Sequence, residues 1–329
     1  MRVLSGIVLV ATVLWSGYWF AGSSAVQRGA GAWFKQAAAQ GLVAHNGGLR
    51  ASGYPGRFDL TVNAPDIVDP VSGYGWRGAQ VNLQAMAWKP WHLTALLPDQ
   101  QVITTPEGDL TFTSTKLRAT VILHPNADLA LDRTEVQAAD LAITTPTGTI
   151  LAKSASLTST EDNTRLHTYR IGLRLTDVAL DPAVMSTING LPAVMPALTV
   201  DAHLLLSAAL DRHAGDTRPE LTGLILDALA LDWGPLQVTA TGSLAPTSDG
   251  SADGRLDFAV KNWRLLPAVV AAAGLVRPEL APTLLRALEV MAQTAGNPAI
   301  LDVPLVFRSG RTYLGPLPVG AAPLLVQRQ

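Results

Sequence analysis

From Val3 to Gly22 twenty residues pass without a charged side chain, and the next charge is Arg28. At ~1.5 Å per residue a helix of that length reaches across the ~30 Å hydrocarbon layer of a bilayer. A cleaved signal peptide is the competing reading, but it calls for a shorter apolar run followed by small residues. Trp15, Tyr18, Trp19 and Phe20 stand where those small residues would be. Such rings suit the outer membrane interface, so a retained anchor is favoured and these four are candidate interface residues. Arg2 and the α-amino group precede the span while Arg28 and Lys35 follow it, which leaves the positive-inside rule near a tie. The N-terminal position decides. It predicts a single-pass inner-membrane protein with a short cytoplasmic tail and everything after the span in the periplasm.

Apolar residues then recur at three- and four-residue steps through Val26, Ala30, Trp33 and Ala37, predicting a helix over 23–40 that continues the anchor and ends at Gly41. Trp33 and Phe34 are expected to cap the core. After Leu42 the period changes to two. Phe58, Leu60 and Val62 alternate with Arg57, Asp59 and Thr61, and Tyr169, Ile171, Leu173 and Leu175 alternate with Thr168, Arg170, Gly172 and Arg174. These are half-buried strands. Further runs lie at 81–87, 110–112, 117–123, 200–210, 236–244 and 256–260. Turns such as Pro106-Glu107-Gly108, Pro146-Thr147-Gly148 and Ser248-Asp249-Gly250 join them over short distances, which requires antiparallel neighbours. Ile103-Thr104-Thr105-Pro106-Glu107-Gly108 returns 40 positions later as Ile143-Thr144-Thr145-Pro146-Thr147-Gly148, reading as two similar hairpins. With no third copy, a solenoid is not expected.

Helices interrupt the strands in two places. Asp181-Pro182 supplies an N-cap and first helical residue for a short helix ending near Gly190. An apolar helix is expected over 265–276, stopped by Pro278, and a second follows with Leu284, Leu288 and Met291 on one face and Arg286, Glu289 and Gln293 on the other. Val303, Leu305 and Phe307, the Ser309-Gly310 turn, then Tyr313 and Leu314 predict a closing hairpin. At 221–233 the pattern is unusual. Leu221, Ile225, Leu229, Leu231 and Trp233 are apolar on one phase, and Leu224, Leu226, Ala228 and Ala230 on the other. A strand apolar on both faces must meet a helix layer, a second sheet or a lipid, so the latter four are candidate lipid-groove residues. The expected fold is mainly β: an elongated, curved antiparallel sheet forming a groove or roll, with a few packing helices and an N-terminal transmembrane helix. Its parts are an anchor over 1–22, a juxtamembrane helix over 23–41 and a β domain over 42–329.

Three stretches carry a family likeness: Gly53-Tyr54-Pro55-Gly56-Arg57-Phe58-Asp59-Leu60; Leu231-Asp232-Trp233-Gly234-Pro235-Leu236 leading to Thr241-Gly242-Ser243-Leu244; and Val303-Pro304-Leu305-Val306-Phe307 with Tyr313-Leu314-Gly315-Pro316-Leu317-Pro318-Val319-Gly320. Through them the chain resembles the bacterial domain-of-unknown-function family 2125 over nearly its whole length after the anchor. These motifs are strand and turn patterns, and the family has no established activity, so the resemblance implies no catalytic residues. In architecture, an anchor followed by long strands with glycine turns is similar to the AsmA-like envelope proteins. That likeness implies a hydrophobic groove and lipid handling.

Composition narrows the chemistry. The chain has 48% hydrophobic and only 15% charged residues, which excludes a disordered or highly solvated protein. A net charge of -2 gives no electrostatic case for nucleic acid, and the absence of cysteine excludes disulfides, thiolate catalysis, iron–sulfur clusters and cysteine-bound zinc. No nucleophile elbow, zinc-protease, Walker or dinucleotide motif occurs. Thr113-Ser114-Thr115-Lys116 approaches a lysine-activated hydroxyl but falls between two strand phases. None of the six histidines forms an i, i+2 or i, i+4 pair, and His167 and His203 are expected in strands as sheet residues rather than metal ligands. Asp249 to Gly254 begins like a calcium loop, but Val260 stands where its glutamate should be, which favours a hairpin turn. Trp88 and Trp91, in Trp88-Lys89-Pro90-Trp91, are further candidates for the membrane interface.

These readings predict a non-enzymatic envelope protein without metal or cofactor, whose partners are membrane lipids and possible envelope proteins and whose apolar groove takes acyl chains. Burying about 14 to 16 methylenes at ~0.8 kcal/mol each supplies on the order of 10 kcal/mol before ordering costs. The alternative is a structural or protein-interaction module with a self-filled core. A hydrolase would need His167 or His203 brought together with two carboxylates.

Overall fold

The computed structural model describes residues 2–146, 148–214, 219–272, 277, 279, 281–294, 300–315 and 317–326. The chain opens with one unbroken helix, α1 (Arg2–Ala39), so anchor and juxtamembrane helix are continuous. Gly41 ends it at φ +93°, with the Gly41 amide donating to the Ala38 carbonyl and the Leu42 amide to the Ala37 carbonyl. That is the left-handed glycine cap that satisfies the last carbonyls of a helix. The buried stripe is Trp19, Ser23, Phe34 and Ala37. Val26, expected on the core side, is exposed, while Trp33 is 48% exposed but lines a groove with the strands. The helix has turned because its small residues set the approach: a Cβ on Gly22 would come within 2.6 Å of the Phe58 ring.

Every described strand pairing is antiparallel, as the turn chemistry requires. The strands expected in one domain over 42–329 divide into two compact units. The first holds residues 1–125 and 136–147, the second 126–135 and 148–329. In the first unit β2 (Gly48–Ser52), β3 (Arg57–Asn63), β6 (Gln80–Met86), β7 (Lys89–Leu96) and β10 (Lys116–Leu123) form one ladder in that order. β1 (Val43–His45), β4 (Asp66–Val68), β5 (Gly75–Gly78), β8 (Gln100–Thr105), β9 (Gly108–Thr113) and the end of β11 (Leu131–Thr145) form another. β8 and β9 are the first copy of the repeat, a hairpin in which Thr105 pairs with Gly108. The second copy falls where β11 ends and β12 (Gly148–Glu161) begins, with Thr147 outside the described residues.

In the second unit β12, β13 (Thr168–Ala179), β14 (Val194–Leu206), β15 (Leu221–Trp233), β16 (Leu236–Pro246), β17 (Ala252–Lys261), β18 (Ile300–Arg308), β19 (Arg311–Leu314) and β20 (Leu317–Ala321) pair consecutively. β18 and β19 are the closing hairpin. Asp181 caps α2 (Pro182–Met185) by accepting the Ala183 amide, but the helix is a single turn and stops short of Gly190. The helix expected over 265–276 is a 3-10 turn at Trp263–Leu265 followed by α3 (Leu266–Ala272); 273–276 and Pro278 lie outside the described residues. α4 (Ala281–Thr294) places Leu288 fully inside and leaves Arg286 exposed.

The double apolar phase of β15 has a local cause. Against β14, Asp201 faces Ala228 while the next residue, Ala202, faces Leu226, so Asp227 is an extra residue. The same shift appears against β16 between Leu226 and Leu229. A bulge of this kind re-phases every side chain beyond it. Leu224 and Leu226 before it therefore share a face with Leu229 and Leu231 after it, and that face packs on Ala202, Ala240, Leu256 and Phe258. Ala228 and Ala230 are exposed on the other face. One face carries the leucines and the other Ile225, Ala228 and Ala230, so the four candidate groove residues do not share a face.

Candidate functional site

The first unit contains a groove of about 320 Å³ between α1 and its strands. Ala30, Trp33 and Phe34 form the helix wall. Leu60 and Val62 from β3, Val81 and Leu83 from β6 and Ala95 from β7 form the floor, which is the period-two alternation of those strands turned inward. Ile67 and Trp76 come from the other ladder, and Pro65 and Leu97 complete the lining. Phe34, Leu60 and Val62 are buried against one another, so the groove has a packed base. The Trp76 indole donates to Gln101 Oε1 at 2.7 Å, which satisfies its one polar group and leaves an apolar ring face for the cavity. All twelve lining residues are apolar. At ~30 Å³ per water-sized group, the space holds roughly ten such groups.

The groove residues were legible singly but not jointly. Leu60 and Val62 stand out as a strand face and Trp33 and Phe34 as a helix stripe, yet nothing local says that the two meet with room between them. The signal that could have joined them is the small Ala30 one turn before Phe34, which holds no bulky side chain against the sheet.

The aromatic residues expected at the membrane interface are gathered around the start of this same sheet. Trp19 is only 6% exposed and packs on Phe58 and Ala87. Its indole donates to the Arg57 carbonyl at 2.6 Å; Trp15 donates to the Pro55 carbonyl at 2.9 Å and Tyr18 to the Ala87 carbonyl at 2.7 Å. Phe20 stacks on Tyr54 at 5.8 Å between centroids and is exposed, as are Tyr54 and Trp88. Trp91 is half-buried within β7.

On the second unit the outer face of the strands is polar. Arg170 donates through two nitrogens to the Asp201 carboxylate, and this hydrogen bonding holds Asp201 below the usual carboxylate range and raises Arg170. His203 Nδ1 lies 2.6 Å from Asp227 Oδ2, and its Nε2 is 3.8 Å from Asp162. Hydrogen bonds from the Thr164 hydroxyl and amide lower Asp162. A histidine is thus brought to two carboxylates. Its Asp162 partner already accepts Thr164, and the adjoining cavity of about 590 Å³ is lined by Ser156, Thr158, Thr160 and the neutralised Arg170–Asp201 pair. Among the described residues neither this group nor any other set of three His, Asp or Glu side chains has an arrangement that could hold a metal ion. His167 is not in a strand: it precedes β13 with φ +50°.

Ser114 and Thr115 form the turn between β9 and β10, with the Ser114 hydroxyl donating to the Ala139 carbonyl. Asp249 sits in the hairpin turn between β16 and β17, where it accepts from the Thr247 hydroxyl, the Ser251 hydroxyl and the Ser251 amide. Those bonds hold its carboxyl down at about 2.

The family described as an uncharacterized protein conserved in bacteria (DUF2125) matches residues 19–323. No curated protein and no solved structure matches the chain.

Proposed function

The chain belongs to the DUF2125 family, and from that premise we propose that it is a single-pass inner-membrane protein, facing the periplasm, that holds lipid acyl chains in the groove between α1 and the strands of the first unit. The observation that carries this reading is a cavity of about 320 Å³ lined wholly by apolar side chains, on the same helix whose preceding turns are long and apolar enough to cross a membrane. About ten buried methylenes at ~0.8 kcal/mol each contribute roughly 8 kcal/mol before ordering costs. The lining offers no charged or hydrogen-bonding group, so the headgroup stays outside and lipid class is weakly discriminated. Retention of the anchor draws support from its packing: removing residues 1–22 would strip Trp19 from Phe58 and Ala87. The arrangement needs no cofactor, no metal and no nucleic acid. It serves lipid handling or envelope maintenance, in the manner of the AsmA-like proteins.

The test uses the full chain in vesicles containing a phospholipid with a diazirine-bearing acyl chain. Irradiation should place adducts on groove residues such as Leu83 and Phe34, and Ala95→Phe, which fills the cavity, should reduce them several-fold without lowering thermal stability. Adducts confined to residues 3–22 would show contact with bulk lipid alone and remove the groove reading. The second reading, an envelope interaction module with a filled core, is favoured by the second unit, where the bulge at Asp227 turns both leucine pairs of β15 inward. In that case crosslinking in membranes traps a protein instead of a lipid.

A further inference from the structure

The helix that would cross the membrane is also bolted to the β structure above it, and the two facts constrain each other. The uncharged run 3–22 is about 30 Å long at ~1.5 Å per residue, the thickness of the hydrocarbon layer, so its last turns belong to the span. Trp15, Tyr18 and Trp19 lie in those turns and are fastened to the Tyr54-Pro55-Gly56 and Ala87-Trp88 turns. When the helix crosses, those turns go down with it.

Their chemistry suits that place. Backbone carbonyls in a water-poor layer must find partners within the protein. Here Pro55, Arg57 and Ala87 accept from Trp15, Trp19 and Tyr18, Gly56 accepts from the Ala87 amide and Gly53 from the Arg57 amide. The outward side chains are Phe20, Tyr54, Met86 and Trp88, all large, apolar or amphipathic, and exposed. Trp88 is 57% exposed, which is unfavourable in water and typical of a ring at the headgroup boundary. Lys89 and Arg57 flank them, with Arg57 paired to Asp59 at 2.9 Å, and long basic stems reach up to headgroups from such a level. They also limit the depth.

We propose that the Tyr54-Pro55-Gly56 and Ala87-Trp88 turns are a second membrane-contact surface, seated at the boundary between acyl chains and headgroups of the bilayer that α1 crosses, so that the first unit rests in the membrane rather than standing off on a stalk. The inference rests on the reading of α1 as a span. It places the groove beside Ala30, Trp33 and Phe34 only two to three helical turns above the lipid tails.

The absence of cysteine makes the test clean. Single variants Val10→Cys, Met86→Cys, Trp88→Cys and Gln80→Cys in the full chain are labelled with nitrobenzoxadiazole and reconstituted into phosphatidylethanolamine–phosphatidylglycerol vesicles containing lipid with a doxyl quencher near the top of the acyl chain. Gln80 begins β6 and Met86 ends it, so the two labels stand about 20 Å apart along the strand. About twofold quenching is expected at positions 86 and 88, as for groups buried ~5–10 Å into the boundary, and none at 80. Quenching at position 10 with positions 86 and 88 as bright as 80 would overturn the contact surface while the span stands. Full brightness at position 10 would overturn the span and the contact surface with it.

Discussion

In the first unit Leu60, Val62, Val81 and Leu83 face a helix that leaves a cavity of about 320 Å³ beneath it, whereas in the second unit Leu224, Leu226 and Leu229 close on Ala202, Ala240, Leu256 and Phe258. The strands of both units are rich in aliphatic side chains, so apolar content alone does not make a groove. What differs is the cover. Strands of one meander pack their own side chains edge to edge, and a single inserted residue is enough to bring two out-of-phase runs onto the same face. A helix laid on a sheet touches it along a line, and α1 reaches its strands through Trp19, Ser23, Phe34 and Ala37 with Ala30 between them. The gap lies beside that small residue. Ion pairs do not separate the two units, since Arg57–Asp59 and Arg77–Asp109 in the first answer Arg170–Asp201, His203–Asp227 and Arg255–Asp257 in the second.

The comparison breaks most visibly at the bulge. Deleting Ile225, one residue outside the bulge, puts Leu224 and Leu226 out of phase, so that one of them turns to the outer face. Exposing that leucine costs about 1.5–3 kcal/mol, read as a lower urea midpoint of the purified chain. Deleting Asp227 instead removes only the extra residue: strict alternation then keeps Leu224, Leu226, Leu229 and Leu231 on one face, and the midpoint should stay within about 1 kcal/mol of the parent. A loss of several kcal/mol on deleting Asp227 would mean that the bulge does not set the face of β15, and the contrast between the two units would lose its cause.

Much of this architecture was legible because it is local. Strand runs, the turns between them, the Asp181 cap and the closing hairpin all follow from period and turn chemistry within a few residues. The bulge was not, because a re-phased strand and a strand apolar on both faces give the same string; Leu224 and Leu229 look opposed until Asp227 is known to be looped out. The face of α1 was misjudged at Val26 for a related reason. Hydrophobicity marks the bulky residues, while the contact is made where Gly22 lets the Phe58 ring approach. The groove itself depends on both, being a space between two elements that each read as ordinary.

A smaller effect sharpens the seating of α1. Gly22→Ala and Gly29→Ala both gain the roughly 1 kcal/mol of helix propensity that alanine has over glycine. At Gly29 a Cβ meets nothing within 4 Å, so that gain appears undiminished. At Gly22 the new methyl would stand 2.6 Å from Phe58, and the overpacking costs about 1–3 kcal/mol, leaving the variant unchanged or destabilised. The two variants should therefore separate by about 1–3 kcal/mol in denaturant unfolding in micelles. Equal stabilisation of both would mean that the helix stands clear of β3, and the groove would lack its wall.

The finest distinction concerns acid. Asp162, Asp201 and Asp249 lie in the second unit, each held below its ordinary value by hydrogen bonds to the carboxylate. For Asp249 the Thr247 and Ser251 donors bring the value from 3.8 to about 2. The unfolded chain takes up this proton first as the pH drops, so the carboxylate's contribution is complete above 3.8 and disappears as the pH falls through about 2. Asp249→Asn should accordingly flatten the decline of the urea midpoint between about pH 5 and pH 2 while leaving Asp162 and Asp201 to supply the rest of the slope. Because the turn is exposed, the change is small. Identical slopes for parent and variant would mean that the β16–β17 turn is held by its backbone alone, and that the acid response of the second unit resides in the Arg170–Asp201 and Asp162–Thr164 contacts of its polar face.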